Sequence, residues 1–190
     1  MSLTLVLGGA RSGKSRYAQA AAEALARDRC VVPTFIATGE AGDAEMAERI
    51  ARHRADRGAG WRTVEAPLAL AEATAALAAE DVAVVDCLTL WLANSMAAAE
   101  GHVQRVEGLA PALAACPARV WVISNEVGWG IVPDNALARR FRDEAGMLHQ
   151  NVAAVAAETL LLVAGQVLRL ERPAFTAPAW TAGSPPPPAP

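Results

Sequence analysis

LTLVLGGARSGKS, residues 3–15, is the stretch of this chain that decides its fold. Residues 3–7 form a short apolar run that ends at glycine, a pattern that predicts a buried β-strand. The next eight residues fit the pattern G-x-x-x-x-G-K-[ST] of a phosphate-binding loop. They are Gly8, Gly9, Ala10, Arg11, Ser12, Gly13, Lys14 and Ser15. An ordinary glycine-rich turn is the alternative, but the strand pattern before the loop and the helix pattern after it favour the phosphate loop.

The residue types of this loop suit a nucleoside triphosphate. Glycines let several backbone N–H groups point into one concavity, and the positive end of the following helix adds to it. Lys14 would neutralise the β and γ phosphates, and the Ser15 hydroxyl would bind Mg²⁺. Lys14 is the only lysine among 17 basic residues, and its compact charge suits phosphate here better than a planar guanidinium. The chain is therefore predicted to bind ATP or GTP.

Short apolar runs alternate with helical patterns along most of the chain. Further strands are predicted at 32–38, 62–65, 82–86 and 119–124, with helices at 14–27, 43–57, 88–98 and 134–158. Another helix is expected to carry Pro67 in its first turn, and residues 100–104 to form a polar connection. The alternation predicts an α/β fold with a mainly parallel sheet and helices on both faces. Residues 159–170 predict two strands turning at Gly165, hence an antiparallel pair at one edge.

Composition excludes several classes of protein. Hydrophobic residues make up 53% of the chain, which predicts a globular domain, and the longest apolar runs are far shorter than the ~20 residues of a membrane span. A net charge of −3 gives no electrostatic reason to expect a nucleic-acid partner. The three cysteines are widely separated, and no signal peptide precedes the first strand. These features predict a cytoplasmic protein without a disulfide framework or zinc site.

The last 18 residues differ in composition from the rest. Seven of the 12 prolines lie in residues 173–190, a bias typical of disordered or extended chain. We therefore expect one catalytic domain at residues 1–172, followed by a proline-rich tail without catalytic residues.

Asp86 is a candidate metal ligand. It follows four consecutive apolar residues at the end of the predicted strand 82–86, where a phosphate-loop enzyme needs an acid as the second protein anchor for Mg²⁺. The alternative is an N-cap for the helix that begins near Leu88. The two roles are compatible.

His53 is a candidate nucleophile on the predicted helix 43–57. At 100° per residue it falls at the edge of the apolar stripe, beside Arg49, with Arg57 one turn further on. A neutral imidazole among guanidinium groups could attack a phosphate or act as a base. From spacing alone, a structural histidine remains the favoured alternative. His102, in the expected polar connection, and His149, inside a long helix, have weaker cases.

Motifs spread over about residues 3–170 resemble those of the bifunctional adenosylcobinamide kinase / adenosylcobinamide-phosphate guanylyltransferases. The similar segments are 7–16 (LGGARSGKSR), 45–50 (EMAERI) with His53, 61–65 (WRTVE), 86–89 (DCLT), 125–133 (NEVGWGIVP), 137–143 (LARRFRD) and Asn151 with its following helix. Many families share the phosphate loop, whereas the combination of the Asn-Glu-Val-Gly segment with the histidine helix is specific to few families. The proline-rich tail departs from the family pattern.

The resemblance implies a RecA-like P-loop fold, a homotrimer and a covalent GMP on His53. It also implies a set of nucleotide contacts outside the loop: Ala37, Thr38, Gly39, Arg54, Ala55, Asp56, Arg57, Glu65 and Asp86. For Glu65, a solvated strand end is the alternative. The implied activity is phosphorylation of adenosylcobinamide by ATP or GTP, followed by GMP transfer from GTP to adenosylcobinamide phosphate.

Several points stay open at this level. The base for the kinase hydroxyl is either Asp86 or Glu126, and no residues are assigned to the corrinoid. Two other functions are considered: a P-loop kinase of another small metabolite with His53 only structural, and a motor-type P-loop ATPase. The net negative charge argues against the motor-type ATPase, and the Asn-Glu-Val-Gly segment argues against both alternatives.

Overall fold

The computed structural model describes residues 2–40, 48 and 60–172. The strands are β1 (Ser2–Gly8), β2 (Thr34–Ala37), β3 (Arg62–Glu65), β4 (Val82–Asp86), β5 (Arg119–Asn125), β6 (Glu158–Val163) and β7 (Gln166–Leu170). The helices are α1 (Lys14–Arg29), α2 (Leu70–Ala75), α3 (Leu88–Ala98), α4 (His102–Ala115) and α5 (Ala136–Val155). Except for Glu48, which is helical, the predicted helix 43–57 lies outside the described residues, including His53 and residues 54–57. The tail 173–190 also lies outside them.

The strands form one seven-stranded sheet in the order β3-β2-β4-β5-β1-β6-β7. Every neighbouring pair is parallel except β6 and β7, which are antiparallel. β5 separates β1 from β4, the RecA-like order for a P-loop sheet. The turn between β6 and β7 has positive φ at Ala164 and Gly165. The predicted mainly parallel sheet with an antiparallel edge pair is confirmed.

Helices cover both faces of the sheet, as predicted. Successive side chains of a strand point to opposite faces, so Leu5 of β1 joins one buried cluster and Val6 joins the other. The cluster of Val6 is closed by the alanines of α1, and that of Leu5 by α2, α3, α4 and α5. None of the helices described is long and apolar enough to cross a membrane.

Three local predictions were wrong. Pro67 precedes α2, which begins at Leu70, instead of occupying its first turn. Residues 102–104 are helical, because Gly101 takes the left-handed conformation (φ 70°) and α4 begins directly after it. The predicted helix 134–158 ends at Val155, since Glu158 pairs with Thr4 in the sheet and extends β6 instead.

Candidate functional site

The carboxyl ends of six adjacent parallel strands form one edge of the sheet. In register, Gly8 lies opposite Asn125, and Ala37 lies opposite both Glu65 and Asp86. Ligands of open α/β sheets bind at this edge. Asp86 is two strands from Gly8, about 10 Å, whereas Glu65 is four strands away, about 19 Å. Asp86 therefore lies on the part of this edge that is near the loop, whereas Glu65 is exposed at the far end of the edge.

Two glycines of the loop are required by its geometry, Gly8 for lack of space and Gly13 for its backbone conformation. A Cβ on Gly8 would lie 2.7 Å from the carbonyl oxygen of Leu162 and 2.5 Å from the Ser12 hydroxyl oxygen. Gly13 is the N-cap of α1 and has a φ of 98°, which L side chains rarely adopt. The loop therefore turns tightly over the sheet and presents the N-terminal end of α1 toward the same edge.

Two polar side chains of the loop are buried within it. Lys14 is 7% exposed, and its Nζ donates a 2.9 Å hydrogen bond to the carbonyl oxygen of Gly9. The Ser12 hydroxyl is buried without a hydrogen-bond partner in the described part of the chain. An unsatisfied buried hydroxyl costs free energy, and a phosphate oxygen would satisfy it. The loop thus fits an anionic ligand.

Ser15 and Asp86 provide oxygen donors for a cation. Ser15 is half-buried in the first turn of α1, and Asp86 is half-buried at the end of β4. The N-cap of α3 is Cys87, so the alternative capping role of Asp86 is not observed. Within residues 2–40, 48 and 60–172, no three His, Cys, Asp or Glu side chains converge on one point. This donor set suits Mg²⁺, which keeps waters and phosphate oxygens as ligands.

Thr38 ties β2 to the end of β4. Its fully buried hydroxyl donates to the carbonyl oxygen of Cys87 and accepts from the Cys87 amide, both at 2.7 Å. The Thr38 amide donates to the Asp86 carbonyl oxygen at 3.3 Å, and Asn94 Nδ2 donates to the Thr38 carbonyl oxygen at 2.8 Å. The Thr38 side chain is therefore engaged in holding the strand end that carries Asp86.

A second set of contacts joins the start of α3, directly after β4, to the end of β5. Asn125 Nδ2 donates to Thr89 Oγ1 at 2.7 Å, and Cys87 Sγ lies 3.0 Å from the same oxygen. Burial raises the pKa of the Cys87 thiol, and neighbouring Asp86 raises it further. A protonated buried thiol is a structural group here and not a nucleophile. No individual role was predicted for these three residues, although polar residues at the ends of two buried strands were the available signal.

A chain of three side chains lies beside the loop, and sequence reasoning missed it. Ser124 Oγ lies 2.7 Å from His149 Nε2, and His149 Nδ1 lies 3.2 Å from Glu126 Oε1. Burial lowers the pKa of His149, with Glu126 opposing part of this shift. The ring is therefore neutral near pH 7, so Nδ1–H donates to the carboxylate and Nε2 accepts from the serine hydroxyl.

Glu126, the acidic member of this chain, is joined to the phosphate loop through its backbone. The Glu126 amide donates a 3.0 Å hydrogen bond to the carbonyl oxygen of Gly8, and the Glu126 side chain is 19% exposed. Ser124 has no exposed surface. Although the connectivity is that of a Ser-His-acid triad, the serine cannot meet a substrate and only the carboxylate can.

Similar solved structures exist, at low sequence identity. A KaiC-like protein of Pyrococcus horikoshii has a TM-score of 0.46 and 11% identity, over 84% of this chain and 70% of its own. A flagellar accessory protein, FlaH, of Methanocaldococcus jannaschii has a TM-score of 0.46 and 11% identity, over 87% and 74%. Likeness at this level carries no information on function.

Sequence relatives are much closer. The bifunctional adenosylcobalamin biosynthesis protein CobP of Pseudomonas aeruginosa is 47% identical over 88% of this chain and 96% of its own length. The CobU proteins of the same description from Salmonella typhimurium and Escherichia coli are 42% and 40% identical, each over 86% of this chain and 96% of their own. The model of the cobinamide kinase / cobinamide phosphate guanyltransferase family matches residues 4–170. The resemblance drawn from the motifs is confirmed, and this chain belongs to that family.

Proposed function

We propose that this chain catalyses two successive transfers in adenosylcobalamin biosynthesis. It phosphorylates adenosylcobinamide with ATP or GTP, and it then transfers GMP from GTP to adenosylcobinamide phosphate, giving adenosylcobinamide-GDP. The observation that carries this proposal is the phosphate loop, with buried Lys14 and a buried Ser12 hydroxyl that has no hydrogen-bond partner among the described residues. The loop lies in a chain whose relatives, covered over 96% of their length, are named as bifunctional enzymes of this pathway.

The kinase step needs charge neutralisation more than covalent chemistry. The aminopropanol hydroxyl oxygen bonds to the γ phosphorus, and the bond from that phosphorus to the β–γ bridging oxygen breaks. Lys14 stabilises the charge that spreads over the phosphate oxygens. Ser15 and Asp86 would hold Mg²⁺, which neutralises the β and γ phosphates when it is bound.

The transfer step uses a covalent intermediate on His53. An imidazole nitrogen bonds to the α phosphorus of GTP and pyrophosphate leaves, after which a phosphate oxygen of adenosylcobinamide phosphate displaces the histidine. The residue lies outside the described part of the chain, so its assignment rests on the sequence. The support is its helix-edge spacing among arginines and the family motif at 45–50. Ala37, Thr38, Gly39, Arg54, Ala55, Asp56, Arg57, Glu65 and Asp86 are proposed nucleotide contacts.

Assembly and location are part of the same proposal. The family resemblance supports a homotrimer, and the scattered cysteines support a cytoplasmic enzyme. Sedimentation of the purified protein should give the mass of three chains, and a monomer at micromolar concentration would contradict the trimer.

Labelled GTP tests the covalent step directly. The protein incubated with Mg²⁺ and GTP labelled at the α phosphate should retain an acid-labile, alkali-stable label, as a phosphoramidate does. GTP labelled only at the γ phosphate should leave none. A simple metabolite kinase takes up no α label, so its absence would favour that alternative.

The variant His53→Asn identifies the nucleophile. We expect it to lose the α label and the guanylyl transfer completely while much of the kinase activity persists, because phosphoryl transfer does not require the histidine. Label that survives in His53→Asn would keep the covalent mechanism but assign it to another residue.

A further inference from the structure

The mechanism above needs a group to accept the proton of the corrinoid hydroxyl. The strand β5 is hydrogen-bonded to β1, and directly after it Glu126 bonds through its amide to Gly8 at 3.0 Å. Asp86, the other candidate, lies two strands from Gly8 and is assigned to the metal ion. Of the two candidates, Glu126 is therefore the residue whose backbone is hydrogen-bonded to the start of the phosphate loop.

The carboxylate of Glu126 is held at one oxygen only. Oε1 accepts a hydrogen bond from His149, whereas Oε2 has no hydrogen-bond partner in the described ranges 2–40, 48 and 60–172. The Glu126 side chain keeps 19% of its surface exposed, and His149 keeps 8%. One oxygen is thus oriented by the protein, and the other is left to meet a substrate.

The histidine is itself oriented from its other side. A neutral imidazole has one donor nitrogen, and a carboxylate can only accept, so the hydrogen bond to Glu126 requires the proton on Nδ1. Nε2 then accepts from Ser124 Oγ at 2.7 Å. Because this ring is neutral, it fixes the carboxylate without neutralising its charge.

We propose that Glu126 is the general base of the kinase step and that His149, anchored by Ser124, positions its carboxylate. This inference rests on the kinase activity proposed above and names a residue of that site. In the step, Glu126 Oε2 takes the proton of the hydroxyl while the hydroxyl oxygen bonds to the γ phosphorus. The electron pair of the broken phosphorus–oxygen bond leaves with the nucleoside diphosphate.

The bifunctional reaction supplies an internal control. Formation of the GMP–histidine uses the same loop and the same GTP but does not need a base for the corrinoid hydroxyl. In Glu126→Gln, single-turnover transfer from γ-labelled GTP to adenosylcobinamide should fall by at least about 100-fold. Labelling by α-labelled GTP without corrinoid should continue at the wild-type rate, and this also shows that the variant is folded.

Two substitutions of His149 separate positioning from packing. In an asparagine, Nδ2 stands near the place of the histidine Nδ1, whereas in a glutamine the amide stands near the place of Nε2. His149→Asn can still donate to Glu126 and should keep most of the kinase activity. His149→Gln should lose about 10-fold or more in kcat with an unchanged KM for GTP, because the carboxylate is misplaced.

A second buried histidine provides a matched control. His102 lies between Ser95 and Glu144, with hydrogen bonds of 3.0 and 2.6 Å. His102→Asn and His102→Gln should change thermal stability without separating the kinase rate from the labelling rate.

Other outcomes would overturn this inference, the proposed function or both, and the measurements distinguish these cases. Kinase activity retained in Glu126→Gln would show that another group takes the proton. Equal loss of kinase activity and of labelling in Glu126→Gln would indicate that Glu126 supports the loop and is not a base. Equal loss of kinase activity in both His149 variants would indicate that His149 contributes only packing. If the wild-type chain transfers phosphate but takes up no α label, the proposed guanylyl transfer fails while the kinase rates still decide on Glu126. Absence of phosphate transfer by the wild type would overturn both.

Discussion

Two buried histidines in this molecule have nearly the same partners and different surroundings. His102 and His149 are each 7% exposed, and each lies between a serine hydroxyl and a glutamate carboxylate. Glu144, the partner of His102, also forms an ion pair with Arg140 at 2.6 Å. Glu126, the partner of His149, has no ion pair with arginine or lysine among the residues described.

The location of the two sets explains the difference. His102, Ser95 and Glu144 lie on α4, α3 and α5, and Arg105 Nε donates to Ser95 Oγ at 2.9 Å. That set joins three helices with its carboxylate charge compensated, which is typical of a structural network. The His149 set lies at the carboxyl edge of the sheet beside the phosphate loop. The same residue types can therefore hold a fold together in one place and prepare a reaction in another.

The largest effect should come from the loop that both activities share. Lys14→Ala should lower both phosphoryl and guanylyl transfer by roughly 10²-fold or more in kcat, because each reaction needs charge neutralised on the same triphosphate. Lys14→Arg should also be poor, since a planar fork does not replace a point charge in this tight loop. The measurement is the rate of phosphate transfer from γ-labelled GTP together with the rate of labelling by α-labelled GTP, as for Glu126→Gln.

The ratio of the two rates is the informative result. A joint loss in Lys14→Ala, beside a selective loss in Glu126→Gln, would sharpen the distinction between the shared loop and the His149 set. Near-normal kinase rates in Lys14→Ala would show that the loop assignment is wrong.

A smaller effect concerns the dependence of stability on pH. The pKa of His149 is lowered in the folded chain from the ordinary 6.5, by burial first and against the opposing effect of Glu126. Between the folded pKa and 6.5 the unfolded chain binds more protons, so the free energy of unfolding should fall as pH decreases through this window. One such group contributes a slope of at most about 1.4 kcal/mol per pH unit.

Urea unfolding at pH values from about 7.5 to 5 measures this slope. His149→Gln should flatten it, because the titrating group is gone, whereas His102→Asn should retain the contribution of His149. An unchanged slope in His149→Gln would contradict the assignment of a buried neutral ring to that residue.

The smallest effect should follow from truncation. Both histidine sets lie within residues 2–172, and the composition of 173–190 offers little apolar surface for folding. A chain ending at Arg172 should keep both activities and its thermal midpoint within error. A lost trimer in sedimentation would show that the tail is a structural strap between subunits.

The sequence by itself determined the features that depend on consecutive residues. A phosphate loop is a local object: Gly8, Gly13 and Lys14 stand at fixed spacing, and their roles follow from backbone freedom and charge. Alternating apolar runs predicted the parallel sheet, and the spread of motifs over the chain identified the family. Element ends were predicted less well, as at Pro67 and Glu158, because sheet pairing and packing decide where a helix begins or ends.

Only the tertiary structure decided which polar residues act together. Ser124 lies in β5 and Glu126 comes directly after that strand, whereas His149 lies on a helix 23 residues beyond Glu126. Nothing in the sequence spacing distinguishes His149 from His102. Each histidine meets its serine and glutamate partners only when α5 packs on the sheet or on the neighbouring helices. Hydrogen bonds between separate elements depend on packing register, whereas a sequence pattern records only which side chains share an element. The same register placed one glutamate beside Arg140 and the other beside Gly8, and that placement separates a structural network from a candidate base.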